Sequence, residues 1–353
     1  MVTHTSGAAA EIEALVEEVR AEFAPDPRLA VFEVTVEVRG EGVALVGATS
    51  EQEAAMALSA RIAQLTGWRT VADEVQRLPE ADPEELVHAV VTSAVAPMLS
   101  GPLVRSTQVS QVVLGNRLVV LRRNGRWLQC RSSDGYVGWI HAGYVALRDD
   151  SGARAWESGA GGDPCVSLGG VVLDASGEIM MRLPWGARVV RESESVVRLP
   201  DGRSGPVEGE LIAAALRPLA FPADGAAACE TAARWLGAPY LWGGLTLGGV
   251  DCSGLVQSVW KLHGRLIPRD SDQQSRFGEE VDPGPEFENL RPGDLCFFAE
   301  EPGRVSHVAM STGGSKIIHA SLGNGGVARN DLIGRRGYER ELRRLFHNAR
   351  RMV

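Results

Sequence analysis

The sequence predicts a multidomain α+β protein: a small αββαβ unit first, a β-only middle, and an α+β domain that begins with helices. Three observations lead there. The 353 residues exceed one domain, for which about 100–200 residues is usual. The hydrophobic period changes twice along the chain, from mixed to strand-like and then to helical. The composition, 44% hydrophobic and 23% charged, is that of a globular chain. Several function classes drop out at once. No run approaches the roughly 18 apolar residues of a membrane span, so membrane association is not expected. A net charge of −9 argues against nucleic acid, whose phosphates need a basic field. The five cysteines, Cys130, Cys165, Cys229, Cys252 and Cys296, are scattered with no paired spacing, so neither a disulfide framework nor a metal site is expected. The opening Met1–Phe23 carries glutamates and no apolar segment of the export type. A cytoplasmic location is the expectation, or the envelope if an upstream signal is missing. Lys261 and Lys316 are the only lysines, which reads as coding bias. The Arg-rich stretch from Arg335 to Arg351 reads as a solvated C-terminal strand and end.

Residues 1–79 form the first unit. Ile12, Leu15, Val16 and Val19 recur at helical spacing within Glu11–Phe23. Leu29–Val38 and Val43–Val46 then read as a hairpin around a Gly40-Glu41-Gly42 turn. Ala54, Ala57, Leu58, Ile62 and Leu65 return to helical period, Gly67 stops that helix, and Thr70–Leu78 alternates as a strand. This order, with the Val43-Ala44-Leu45-Val46-Gly47 strand exit, resembles a BON domain. That resemblance implies envelope or phospholipid surfaces, yet 13 acids against 6 arginines over Met1–Pro79 would be repelled by anionic lipid. A packing or spacer role is expected, and no partner is specified.

Residues 80–96 read as a linker, an acidic break at Pro79–Pro83 followed by a short helix over Glu84–Val95. From Pro97 the texture is β. Gln111–Leu114, Arg117–Leu121, Trp127–Arg131 and Gly135–His141 are short strands separated by Gly and Asn turns. The run Gly125-Arg126-Trp127-Leu128-Gln129-Cys130, followed by Asp134-Gly135-Tyr136-Val137-Gly138-Trp139-Ile140, resembles the second hairpin of a bacterial SH3-like domain, placed at 97–150. Val171–Leu173, Leu183–Ala187, Val196–Leu199 and Asp201-Gly202-Arg203 suggest a degenerate second copy at 151–218. Leu211–Pro222 reads as the linker to a last domain at 222–353. Within the first barrel Trp139 is the core candidate. Tyr136, three residues away on a hairpin tip, is expected on the opposite, outward face.

Cys252 follows a Gly-rich turn and opens a helix, since Leu255, Val256, Val259, Trp260 and Leu262 repeat at helical spacing. A helix N-terminus offers unpaired amides and the positive end of a dipole, which favour a thiolate and can hold an oxyanion. The thiol is therefore expected to titrate below the free value of about 8.5 and to be the first cysteine alkylated. A nucleophilic thiol needs a base. Val305–Thr312 and Lys316–Ser321 read as strands joined at Thr312-Gly313-Gly314, and a turn that sets Ser311 against Ser315 places His307 directly across from His319 on one face. His4, His88, His141, His263 and His347 have no such context and read as surface or packing residues.

These motifs, together with Pro239-Tyr240-x-Trp242-Gly243-Gly244, Asp251-Cys252-Ser253-Gly254, Pro268-Arg269-Asp270-Ser271 and Leu290-Arg291-Pro292-Gly293-Asp294-Leu295, resemble the NlpC family of papain-like cell-wall cysteine peptidases. The resemblance implies Cys252 as nucleophile, His307 as base and His319 as the residue that orients the imidazole, with no metal or organic cofactor. With SH3-like domains ahead of it, the chain resembles the recycling subgroup that cleaves the γ-D-glutamyl bond to a diamino acid, L-lysine or meso-diaminopimelate, in murein stem peptides with a free N-terminal L-Ala. In that subgroup the first barrel walls the cleft against glycan-linked stems. The matching substrate-binding residues are Tyr136, Tyr240, Trp242, Asp251, Ser253, Asp270 and Ser271. Where relatives carry an acid for the peptide amine, this chain has Thr107-Gln108. Two other readings share these residues: an exported hydrolase of intact peptidoglycan, and a wall-binding protein without catalysis, against which the intact Cys252, His307 and His319 argue.

Overall fold

The computed structural model describes residues 7–39, 42–65, 70–82 and 84–352. Gly40, Glu41, Gly67, Pro83 and His4, which carried parts of the expected turns and loops, lie outside the described residues. The first domain has the expected order: α1 (Gly7–Phe23), β1 (Phe32–Arg39), β2 (Gly42–Thr49), α2 (Gln52–Ile62) and β3 (Thr70–Arg77). β2 is central, antiparallel to β1 and parallel to β3. Val19, Leu45, Leu58 and Ile62 are fully enclosed between the helices and the sheet, and each such burial stabilises by roughly 1.5–3 kcal/mol. Gly47 in β2 must be glycine: its φ is +118° and a Cβ would fall 1.9 Å from the Glu33 carbonyl oxygen.

The linker helix expected over 80–96 is not there. Residues His88–Val91 form β4 and Val95–Leu99 form β5, so the first barrel begins before Pro97. Ala89, Val90 and Val91 are buried in succession, and an apolar run covered on both faces forms a strand where an amphipathic helix would expose one side. The barrel continues through β6 (Gln108–Val113), β7 (Arg117–Asn124), β8 (Trp127–Arg131), β9 (Val137–His141) and β10 (Val145–Arg148), paired in the order β10-β4-β7-β8-β9-β5-β6. Its core is Met98, Val112, Leu118, Leu128, Cys130 and Ile140. After α3 (Asp150–Glu157), a second barrel is built from β11 (Asp163–Leu173), β12 (Ile179–Leu183), β13 (Arg188–Arg191), β14 (Val196–Arg198) and β15 (Ser204–Ala213), and the β11–β15 pairing closes it. Leu211–Ala213, expected in the linker, therefore belong to β15. The connection that remains holds α4 (Arg217–Ala220).

The last domain comprises α5 (Gly225–Ala233), the short pair β16 (Leu245–Thr246) and β17 (Gly249–Val250), α6 (Cys252–Leu262), α7 (Ser271–Gln274), β18 (Glu279–Val281), β19 (Leu295–Glu301), β20 (Arg304–Gly313), β21 (Lys316–Ser321), β22 (Gly326–Asp331), α8 (Gly337–Leu345) and β23 (Phe346–Arg351). Its antiparallel sheet runs β18-β23-β19-β20-β21-β22. The Arg-rich C-terminal stretch is thus not a solvated end. β23 sits inside the sheet with Ala349 buried, and Arg351 Nε and Nη2 donate to Asp294 at 2.8 and 2.7 Å.

Candidate active site

Local chemistry positions Cys252. Asp251 caps α6 by accepting from the Gly254 N–H at 2.6 Å, and its other oxygen accepts from Gly243 N at 2.8 Å. A Cβ on Gly254 would lie 2.2 Å from the Gly244 carbonyl oxygen, so the Gly-rich turn can close on the helix start only with glycine there. Arg269, 1% exposed, holds Asp251 bidentately at 3.0 and 2.7 Å. It also donates to Ser253 Oγ at 2.9 Å and, through Nε, to Ser110 Oγ of β6 at 3.0 Å. The side chains of Asp251 and Ser253, expected to bind substrate, are thus both held in place by the buried Arg269. Arg269 has no role legible from the Pro268-Arg269-Asp270-Ser271 motif; only the fold brings it to Asp251.

The two histidines meet by a different register from the one expected. Met310 pairs with Ile318 and Ser311 with Ile317, and an irregularity between Ser311 and Gly313 shifts the ladder. Ser311 Oγ accepts from Gly313 N at 3.0 Å within that bulge. Carried on, this register sets His319 nearest Ala309, so His307 is a diagonal neighbour on the same face rather than directly opposite. His319 pairs with Ala328 of β22, which places Asn330 at the next diagonal. The result is a relay across three strands: His307 Nε2 to His319 Nδ1 at 2.7 Å, then His319 Nε2 to Asn330 Oδ1 at 2.9 Å. Asn324 Nδ2 donates to the same Asn330 oxygen at 2.7 Å. The Asn330 oxygen assigns the tautomers: His319 carries its proton on Nε2, His307 on Nε2, and His307 Nδ1 is left as a free base. The Tyr338 ring stacks on His319 at 6.1 Å. Asn330 and Tyr338 are not legible as site residues in the sequence, since β22, Gly326–Asp331, carries Arg329 and Asp331 on either side of Asn330.

Electrostatics also departs from expectation. Burial, and then the Asp251 charge, push the Cys252 thiol up to about 12, against the backbone N–H groups of Val308 and Ser253, which favour the thiolate. Cys252 is 7% exposed, and desolvation outweighs the helix end. Burial, with His319 adding to it, pushes His307 down to about 3. Burial thus opposes the thiolate at Cys252 and the imidazolium at His307, against the helix end expected to favour the thiolate. The Val308 N–H that favours the sulfur belongs to the peptide following His307, so base and thiol flank one peptide unit.

Barrel 1 closes one side. Tyr136, 4% exposed, donates its hydroxyl to Asp270 Oδ2 at 3.1 Å, so it points out of the barrel, as expected, and is buried against the last domain. The alternation argument behind that expectation does not hold, because β9 begins only at Val137. Ile140, and not Trp139, enters the barrel core; Trp139 lies under the Arg122 guanidinium, 5.6 Å from its ring centroid. Gln108 Nε2 donates to the Trp242 carbonyl at 2.8 Å, and Gln111 Oε1 accepts from Leu245 N at 2.9 Å. The Trp242 ring remains exposed, Tyr240 is partly buried near Cys252 and Arg269, and Ser271 is buried at the start of α7. A cavity of about 470 Å³ lies elsewhere, between the two barrels and the back of α6, and none of Cys252, His307 or His319 lines it. The remaining described histidines pack or stay at the surface, as expected: His263 bonds Thr231 Oγ1 at 2.9 Å, and His88 lies 3.2 Å from Asp150. Among the described residues no cluster of His, Cys, Asp or Glu could hold a metal.

Comparison with known proteins gives a consistent picture. Residues 237–344 match the NlpC/P60 family and residues 94–146 match the bacterial SH3 domain. A gamma-D-glutamyl-L-lysine dipeptidyl-peptidase of Bacillus subtilis (strain 168) is 27% identical over 237 residues, 60% of this chain and 71% of the relative. A protein of the same name from Bacillus cereus (strain ATCC 10987 / NRS 248) is 46% identical over 93 residues, 26% of this chain and 27% of the relative. The fold is that of a solved NlpC/P60 family protein from Bacillus cereus ATCC 10987, with a TM-score of 0.63 at 23% identity over 75% of this chain and 99% of that one.

Proposed function

We propose that this chain, a cysteine peptidase carrying an NlpC/P60 domain behind a bacterial SH3 domain, hydrolyses the γ-D-glutamyl bond to the diamino acid of murein stem peptides, with Cys252 as nucleophile. The observation that carries the reading is the His307–His319–Asn330 relay, which leaves His307 Nδ1 free beside the peptide that faces the Cys252 sulfur. In attack, the Sγ–H proton passes to His307 Nδ1 as sulfur bonds to the carbonyl carbon, and the resulting imidazolium is stabilised through His319. The proton then goes to the leaving amine, and water releases the acyl group. The backbone amides at the start of α6 are positioned to receive the oxyanion. The wall formed by Tyr136, Gln108 and Gln111 supports short peptides over glycan-linked stems as substrates. Whether a free N-terminal L-Ala is needed turns on Asp270 and its partners.

Mass spectrometry of products from L-Ala-γ-D-Glu-L-Lys, from its meso-diaminopimelate counterpart and from intact sacculi tests the reading. Release of L-Ala-γ-D-Glu from the tripeptides, lost in Cys252→Ala, is expected. Cleavage of sacculi alone would favour the exported hydrolase, and turnover by Cys252→Ala would remove Cys252 from the mechanism.

A further inference from the structure

The cavity of about 470 Å³ between the two barrels and the back of α6 has the size of a small-molecule site, for which about 300–1,000 Å³ is usual. Three domains build it. Val113 and Asp134 come from barrel 1, Trp185 and Arg188 from barrel 2, and Lys261 from the last turn of α6. The lining carries four cations, Arg117, Arg188, Arg217 and Lys261, against two acids, Asp134 and Glu157, an excess of positive charge in a chain whose net charge is −9. Two of the cations are already engaged. Arg117 bonds Glu157 at 2.8 Å and Asp150 at 2.9 Å, and Arg217 Nη1 donates to the Lys261 carbonyl at 3.0 Å, at the end of α6. Asp134 accepts from Gln257 Nε2 at 2.8 Å and from Ser132 Oγ, both neutral donors.

Lys261 and Arg188 are left. Both are exposed, both line the cavity, and among the described residues neither side chain makes a hydrogen bond or an ion pair. The protein around Lys261 nonetheless desolvates it and lowers its pKa, with the Asp134 charge opposing and the Arg188 charge adding to the shift. A desolvated cation without a partner costs stability until a counter-charge arrives. Lys261 is one of two lysines in the chain, and the other, Lys316, is paired with Asp331. We propose that this cavity binds a small organic anion, a carboxylate or a phosphate ester, held by the Lys261 ammonium and the Arg188 guanidinium against the apolar wall of Val113, Trp185 and Val189. The inference goes beyond the γ-D-glutamyl peptidase reading and does not depend on it, since the site lies apart from Cys252, His307 and His319.

The test is calorimetric titration of the full chain, and of Lys261→Met, Arg188→Gln and the double variant, with glutarate, with phenyl phosphate and with glutaramide as the uncharged control. At least one anion is expected to bind the parent with a Kd of about 1 mM or tighter. Each single variant should weaken it about tenfold, the loss of one charge-assisted contact, equivalent to about 1.4 kcal/mol. Tighter binding of glutarate assigns the site to carboxylates, and tighter binding of phenyl phosphate to phosphate esters. Without anion, both single variants should melt no lower than the parent, because each removes a cation that has no partner. Binding of neither anion, equal affinity in the parent and the double variant, or glutaramide binding as tightly as glutarate overturns the inference.

Discussion

Barrel 1 meets the last domain through polar side chains, Ser110 on Arg269, Gln108 on the Trp242 carbonyl and Tyr136 on Asp270, whereas barrel 2 meets it through tryptophan. Trp185 packs on Trp235 with ring centroids 5.5 Å apart, and the Arg234 guanidinium lies over Trp185 at 4.8 Å. Leu168 and Trp185 join the same buried cluster as Leu255, Val256 and Trp260 of α6. An apolar seam is tolerant in register and supplies area-dependent stability. A polar seam supplies less net energy, but each hydrogen bond demands one geometry. The barrel that must be placed exactly against the cleft is therefore joined by hydrogen bonds, and the barrel that only has to stay attached is joined by rings.

The largest effects should come from one residue at each seam. Arg269→Ala leaves the Asp251 carboxylate buried and unpaired and is expected to cost about 3–5 kcal/mol of stability, with turnover falling in the molecules that remain folded. Trp185→Ala is expected to cost a similar 3–5 kcal/mol by cavity formation, while kcat/KM measured well below its melting temperature stays within a few-fold of the parent. Denaturant unfolding and kinetics on the same preparations check both, and a collapse of kcat/KM in Trp185→Ala would erase the distinction between the seams.

Acid should separate the seams next. Arg28 and Gln273 hold Asp26 down to about 2 against its burial. Its folded pKa lies below the unfolded one, so its contribution is complete above about pH 4 and is lost as the pH falls towards 2. That first-domain carboxylate should therefore stay paired in mild acid, whereas burial raises Asp270, the carboxylate that accepts from Tyr136 in the barrel 1 seam. The fully buried His319, also lowered by burial, works at higher pH: below 6.5 the unfolded chain binds a proton that the fold does not, so stability falls by up to about 1.4 kcal/mol per pH unit. Thermal melts from pH 7 to 5 should show this loss. Over the same range His307, pushed down to about 3, should remain a base, placing the acid limb of kcat/KM below the ordinary imidazole value. An acid limb at 6.5 or above would contradict a desolvated His307.

The smallest effect tests a single bond of the polar seam. Tyr136→Phe removes the hydroxyl from Asp270 and keeps the ring, so kcat/KM for stem tripeptide should fall by about 0.5–1.5 kcal/mol, with the melting temperature nearly unchanged. A melting temperature that falls as far as in Trp185→Ala would mean that this hydroxyl carries structure more than placement.

The αββαβ order, the barrel strands and the Cys252 helix start were legible in the sequence because each rests on local periodicity and turn chemistry. His307 and His319 were legible as a pair for the same reason: strand parity survives a two-residue error in register, so both rings stay on one face although the bulge after Ser311 moves them from opposite to diagonal. The strand within residues 80–96 was not legible because an apolar run of three, Ala89 to Val91, has no period of its own, and burial on both faces is settled by β7 and β10, distant in the chain. What only the tertiary structure decided is what long-range contact decides. Arg269 became the clamp on Asp251, Asn330 the end of the histidine relay, Cys252 a desolvated thiol and Arg28 a partner of Asp270. Each depends on which side chain stands within about 3 Å of another and on how much water is left between them. Sequence spacing constrains neither quantity, because partners up to 247 residues apart meet only after four domains have packed.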